Sequence, residues 1–180
     1  YPGRLHFVSG NQINVQIPWE VQGRNSVLVK VSTGPLTESA LYTLPLNKYS
    51  PAFFEIPDLG GTGRQLVAAL DEAYQVVSST NPVQRGRVVQ LFANGLGPVT
   101  NTPPSGEISP ANPLSETTET PVVTIGGQNA PVQFSGLAPG NVGLYQVNVV
   151  VPEGLGAGLH EVVLTIGGID AKPVLLYVKE

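Results

Sequence analysis

The stretch QINVQIP at Gln12–Pro18 returns 134 positions later as QVNVVVP at Gln146–Pro152. In the first copy apolar residues alternate with polar ones, and the second keeps the pattern except at Val150, which stands where the first has Gln16. Ile13, Val15 and Ile17 in the first correspond to Val147, Val149 and Val151 in the second. A period of two is the signature of a strand with one face turned to a core. Each copy ends at a proline, which has no N–H to give to a sheet ladder. The continuations agree as well. WEVQGRNSVLVKVSTGPLTESALYTL follows the first copy and EGLGAGLHEVVLTIGGIDAKPVLLYV the second. Each reads as a glycine-containing loop, a second strand, a tight turn and a third strand. Val27, Val29 and Val31 alternate as Val162, Leu164 and Ile166 do, and Leu41 and Val174 open the matching final strands. Agreement in order as well as in residues identifies a duplicated β-module.

The rest of the composition suits that module. Gly and Pro together number 38 of 180 residues, which leaves little room for helices of ordinary length. Charged residues make up 12% and hydrophobic residues 41%, the reverse of a disordered chain, so a packed core is expected. The expected class is all-β.

The second copy has more in front of it than the first. Arg87–Ala93 (RVVQLFA) reads as a strand and Asn94–Pro98 (NGLGP) as a turn. Val99–Pro121, rich in Thr, Ser, Pro and Glu, reads as an exposed loop, and Val122–Ile125 as a strand closed by Gly126-Gly127. The first copy matches only from GRLHFVSG (Gly3–Gly10) onward, so it lacks the first two strands of its module. The expected organisation is a partial Ig-like sandwich over 1–50, a linker with a β-hairpin over 51–83, and a complete Ig-like sandwich over 84–180. Within the linker, the spacing of Arg64–Val77 fits a helical face through Leu66, Leu70, Tyr74 and Val77. It fits equally a hairpin of Leu66–Leu70 and Tyr74–Ser78 turning at Asp71–Ala73.

The runs RGRVVQLFANGLGPV (Arg85–Val99), GLAPGNVGLYQVNVVVP (Gly136–Pro152) and VVLTIGG (Val162–Gly168) go together with NQINVQIPWEV (Asn11–Val21) and PAFFEI (Pro51–Ile56). In this order the chain resembles the uncharacterised C-terminal domain family abundant in Solibacter and other Acidobacteria. That family is related to the Ig-like IPT/TIG modules and sits at the ends of secreted or surface proteins. The resemblance covers essentially the whole chain. It implies tandem Ig-like sandwiches and an extracellular or cell-surface location, and it carries no activity. It also favours the hairpin at Ala69–Pro82, although Asp71-Glu72-Ala73 lacks the family's turn glycine.

Motifs for chemistry are sparse. There is no Cys and no basic run; Arg85 and Arg87 are the densest positive pair and the net charge is −4. A phosphate backbone calls for clustered Lys and Arg, so nucleic acid is a poor partner. No apolar run reaches the ~20 residues of a membrane-spanning helix. The two histidines, His6 and His160, have no ligand at metal-binding spacing. Gly61–Gly63 lacks the Lys-Ser/Thr and the following helix of a phosphate loop. The carboxylate pairs Asp71-Glu72 and Glu116/Glu119 read as solvated charge rather than as the facing acids of a glycosidase. The single tryptophan, Trp19, reads as a lid on the first module, with a sugar-stacking platform as the alternative. Tyr42, Tyr49, Phe53 and Phe54 are expected to gather beside it.

These readings predict a non-enzymatic extracellular structural or interaction protein, with no cofactor and no metal. The alternative is a carbohydrate- or ligand-binding accessory module of a larger secreted enzyme. Because the first module lacks two strands, its apolar residues need a cover, and Phe7, Val15, Trp19 and Val29 are the candidate interface. The expected partners are further copies of the chain, in an oligomer or a filament, or other surface proteins. The start at Tyr1 reads as that of a processed product or a fragment.

Overall fold

The fold was obtained as a computed structural model, which describes residues 1–35 and 37–180. The described residues are almost wholly strand and turn, with one 3-10 turn at Trp19–Val21. They form two compact units. One comprises Tyr1–Lys48 with Pro104–Gly106, the other Tyr49–Pro103 with Glu107–Glu180.

The first unit holds six strands: β1 (Arg4–Val8), β2 (Ile13–Gln16), β3 (Ser26–Val29), β4 (Ser32–Gly34), β5 (Thr37–Glu38) and β6 (Tyr42–Pro45). They pair only two by two, β1 with β2, β3 with β6 and β4 with β5. Ser9–Gln12 closes the first hairpin, with the Ser9 N–H donating to the Gln12 carbonyl at 2.8 Å. An ion pair from Lys30 to Glu38, 2.6 Å, crosses the base of the β4–β5 hairpin.

The second unit is a two-sheet, sandwich-like structure. Its leading strands are β7 (Ala52–Phe53), β8 (Glu55–Pro57), β9 (Gln65–Val67), β10 (Ala69–Leu70) and β11 (Val83–Gln84). Then come β12 (Val88–Asn94), β13 (Val122–Ile125), β14 (Gln128–Asn129), β15 (Val132–Leu137) and β16 (Tyr145–Val150). Last are β17 (Gly158–Ile166), β18 (Ile169–Asp170) and β19 (Val174–Lys179). One sheet runs β10-β12-β16-β15, with β7 also on β12. The other runs β14-β13-β17-β19-β9-β8, with β11 on β19 and β18 on β17. Along β12, β16 and the Val162–Ile166 part of β17 every second residue is buried, so each sheet turns one apolar face inward. Val89, Leu91, Val123, Ile125, Val147, Val149, Val162 and Leu164 form that core, all fully buried. At about 1.5–3 kcal/mol for each such side chain, this core is the main source of the unit's stability.

The segment expected as a linker, 51–83, does more than link. β7 and β10 add to one sheet of the second unit, and β8, β9 and β11 to the other. Leu66, Val67, Ala69, Val77 and Val83 are buried there. The chain changes sheet at Ala68, whose N–H donates to the Phe54 carbonyl and whose own carbonyl accepts from Phe92. Arg64–Val77 is a hairpin and not a helix, closed by an antiparallel bridge from Leu70 to Val76. Tyr74 takes the left-handed conformation a turn glycine would supply (φ 58°), and the Asp71 carboxylate holds the turn by accepting the N–H groups of Ala73 and Gln75, each at 2.9 Å.

Val99–Pro121, expected as an exposed loop, is held down at several points. Val99, Ser109 and Ser115 are buried, and Glu116 bridges to Gly136 inside β15. Gly136 is required for that approach, since a β-carbon there would lie 2.3 Å from the Ser115 carbonyl oxygen. The buried serines of this stretch satisfy backbone groups: the Ser115 hydroxyl donates to Asn101 O and the Ser109 hydroxyl to Asn141 O.

Candidate interaction surface

The repeated strands are equivalent in each unit down to an irregularity. In the second unit Val132 faces Val149 and Phe134 faces Asn148, with a one-residue bulge between them. In the first, Leu5 faces Val15 and Phe7 faces Asn14, with a bulge at the same place. Gln146 Nε2 donates to Asn148 Oδ1 at 2.8 Å, and Gln12 Nε2 donates to Asn14 Oδ1 at 2.6 Å. β1 and β2 are therefore the counterparts of β15 and β16. On the other side, Val27 pairs with Leu44 as Val162 pairs with Val174. This register makes Leu44, not Leu41, the counterpart of Val174. The intervening turn is longer in the first copy because it carries the β4–β5 hairpin.

What surrounds these strands differs between the units. β16 lies between β15 and β12, and β17 between β13 and β19. Among the described residues, β2 pairs with β1 alone and β3 with β6 alone. The consequence is read in side-chain exposure. Val147, Val149 and Val151 are 0% exposed, whereas their counterparts Ile13, Val15 and Ile17 are 39%, 43% and 39% exposed. The apolar positions correspond, but among the described residues no strand pairs on the second edge of β2. Val27, Val29 and Leu44 are only half-buried, and among the described residues of this unit Val21 is the one buried apolar residue.

The four residues singled out from the sequence all lie in this unit. Phe7 and Val15 are exposed, on β1 and β2. Val29 is half-buried at the end of β3, opposite Tyr42. Trp19 is half-buried in the 3-10 turn, and its indole Nε1 is buried without a hydrogen-bond partner. Its backbone N–H donates to Ser105 Oγ at 2.8 Å, and Ser105 Oγ donates to Glu20 Oε2 at 2.6 Å. The Ser105 hydroxyl, together with the Glu20 backbone, holds the Glu20 carboxyl below its usual range. Of the other aromatics, Tyr49 and Phe53 are buried, and Tyr42 and Phe54 are exposed. Sequence reading missed Ser105 and Gly106, whose N–H donates to Gln16 Oε1 at 2.7 Å. Nothing in a Ser-Gly dipeptide within a long polar loop signals contact with a strand ninety residues earlier.

The titratable groups considered for chemistry serve the scaffold. Asp58 accepts Gly60 N–H at 2.8 Å and the Thr62 and Tyr177 hydroxyls, and these bonds, Thr62 first, lower its pKa. The glycine loop at 60–63 is thus folded around a carboxylate, an arrangement that repels phosphate. Asp71 belongs to its turn and also accepts Asn81 Nδ2 at 3.0 Å, the largest cause of its lowered pKa. Glu72 Oε1 accepts the Val88 N–H at 3.0 Å. Glu119 accepts the Tyr49 hydroxyl at 2.8 Å and the Gly167 N–H at 3.0 Å. His160 Nε2 lies 2.8 Å from the Gly156 carbonyl, and His6 sits exposed at the β1 bulge. Among the described residues no three acidic, His or Cys side chains converge for a metal, and no helix is long and apolar enough to cross a membrane. Two open depressions in the second unit, about 320 and 280 Å³, are lined by Asp71, Glu72, Arg87 and Lys179 and by Glu55, Arg64, Glu161 and Lys172 respectively. Compared with protein-family models, with curated proteins and with solved structures, the chain matches none.

Proposed function

We propose that this chain is a non-enzymatic structural or interaction protein of the cell surface or extracellular space, built of tandem Ig-like modules and working through the open β edges of its first unit. The observation that carries the reading is the exposure of Ile13, Val15 and Ile17 beside the complete burial of their counterparts. A strand patterned for a core but left without one gains most by pairing with another polypeptide, which supplies backbone hydrogen bonds and apolar cover together. A second copy of the chain is one such polypeptide, and a head-to-tail contact of that kind extends into a filament. The placement outside the cell rests on the resemblance noted from the sequence.

The test uses the intact chain and its Val15→Lys variant. Val15 is already 43% exposed, so the isolated protein tolerates the charge. The wild type should bind an apolar-surface dye and associate with itself or with strand-forming peptides, and the variant should lose both properties. A wild type that stays monomeric, takes up no dye and ignores peptides contradicts the proposal.

A further inference from the structure

We infer that the open edge of β2 receives an extended, uncharged strand of the Val88–Asn94 type, running antiparallel in the register that β12 keeps on β16. The inference rests on the reading of the first unit as an interaction module, and it names the partner's chemistry. The second unit is the template. The shared bulge, the Phe–Asn pairing and the Gln–Asn hydrogen bond make the outer edge of β2 the counterpart of the outer edge of β16. On that edge of β16, Val89 faces Val149, Gln90 faces Asn148 and Leu91 faces Val147. Carried over, the donor places one apolar residue opposite Val15, a polar one opposite Asn14 and a second apolar one opposite Ile13.

Two further observations fix what the donor is. β2 carries none of the guards of a natural edge strand: Ile13–Gln16 has no Lys, no Pro and no inward charge. An uncharged edge is matched by a donor like Val88–Asn94, which has no charge either. A second copy of this chain does not have that strand to give, because Val89 and Leu91 are 0% and Ala93 1% exposed in the core of the second unit. The donor is therefore a strand presented by a separate partner polypeptide, uncharged and apolar at alternate positions.

The experiment titrates the isotope-labelled full chain with a peptide copying Arg87–Gly95, followed by nuclear magnetic resonance and by sedimentation. Expected are saturable shifts and slowed amide exchange confined to Ile13–Gln16 and its neighbours. Intermolecular contacts should place peptide Val89 beside Val15 and peptide Leu91 beside Ile13. A peptide carrying Leu91→Ser should bind about tenfold more weakly, since a buried leucine is lost from the joint core. No binding, or binding in another register, overturns the inference. If the peptide fails while the chain self-associates through β2, the occupant is a second copy and the broader interaction reading survives. If the peptide fails and the dilute monomer already protects every β2 amide, both fall.

Discussion

Asp71 and Asp58 show how a chain with few charges uses them. Each carboxylate accepts several donors in a turn where the backbone has no other partner. Each has its folded pKa lowered by those bonds. The stability they contribute is present above the unfolded aspartate value of about 4 and is lost as pH falls through the lower folded value. Acid titration of thermal stability should show this loss, and Asp71→Asn should flatten that limb while lowering stability at neutral pH. At the alkaline end the sign reverses. Burial pushes the Tyr145 hydroxyl, which donates to the Gly97 carbonyl, well above its ordinary range. Its contribution is present below about pH 10 and is lost above it. Tyr145→Phe should cost about 1 kcal/mol by chemical denaturation at neutral pH, because the half-buried Gly97 carbonyl loses its donor.

At the scale of the element, the same strand occupies two settings in one molecule. Val149 is fully buried and Val15 is 43% exposed, though each stands at the same place in its hairpin. Val149→Ala should destabilise the second unit by about 1–3 kcal/mol, through lost transfer energy and a cavity. Val15→Ala should change the first unit by less than about 0.5 kcal/mol, because water already reaches the side chain and no cavity forms. Equal costs in unfolding experiments on each unit contradict the contrast.

Much of this element was legible in sequence. The period of two in QINVQIP and the terminal Pro identify the strand, and RVVQLFA identifies the neighbour that only the second copy has. The pairing of Leu44 rather than Leu41 was not legible, since the β4–β5 hairpin lengthens the connection and a four-residue strand is too short for its alternation to show the shift. Nor was the use of 51–83 in two sheets. Its strands are two or three residues long, too short for a periodic signal, and their partners lie far along the chain.

At the scale of the whole molecule, two units that share a strand pattern differ in how far that pattern is covered. The second closes its core with strands from 52–94 and 122–125, while the first keeps the hairpin pairs and has almost no core. The all-β class followed from composition and pattern. The exposure of Phe7 and Val15 was legible as an expectation that the first copy's strands lack a cover, because a missing neighbour can be read only against a second copy that has it. The most direct test is native-state amide exchange along the entire undenatured, dilute chain. Every amide of Tyr145–Val150 should be strongly protected, since β16 is paired on both sides. In Ile13–Gln16 protection should be confined to alternate amides, those facing β1, with the others exchanging near the rate of open chain. Uniform protection of Ile13–Gln16 at the level of β16 contradicts the account.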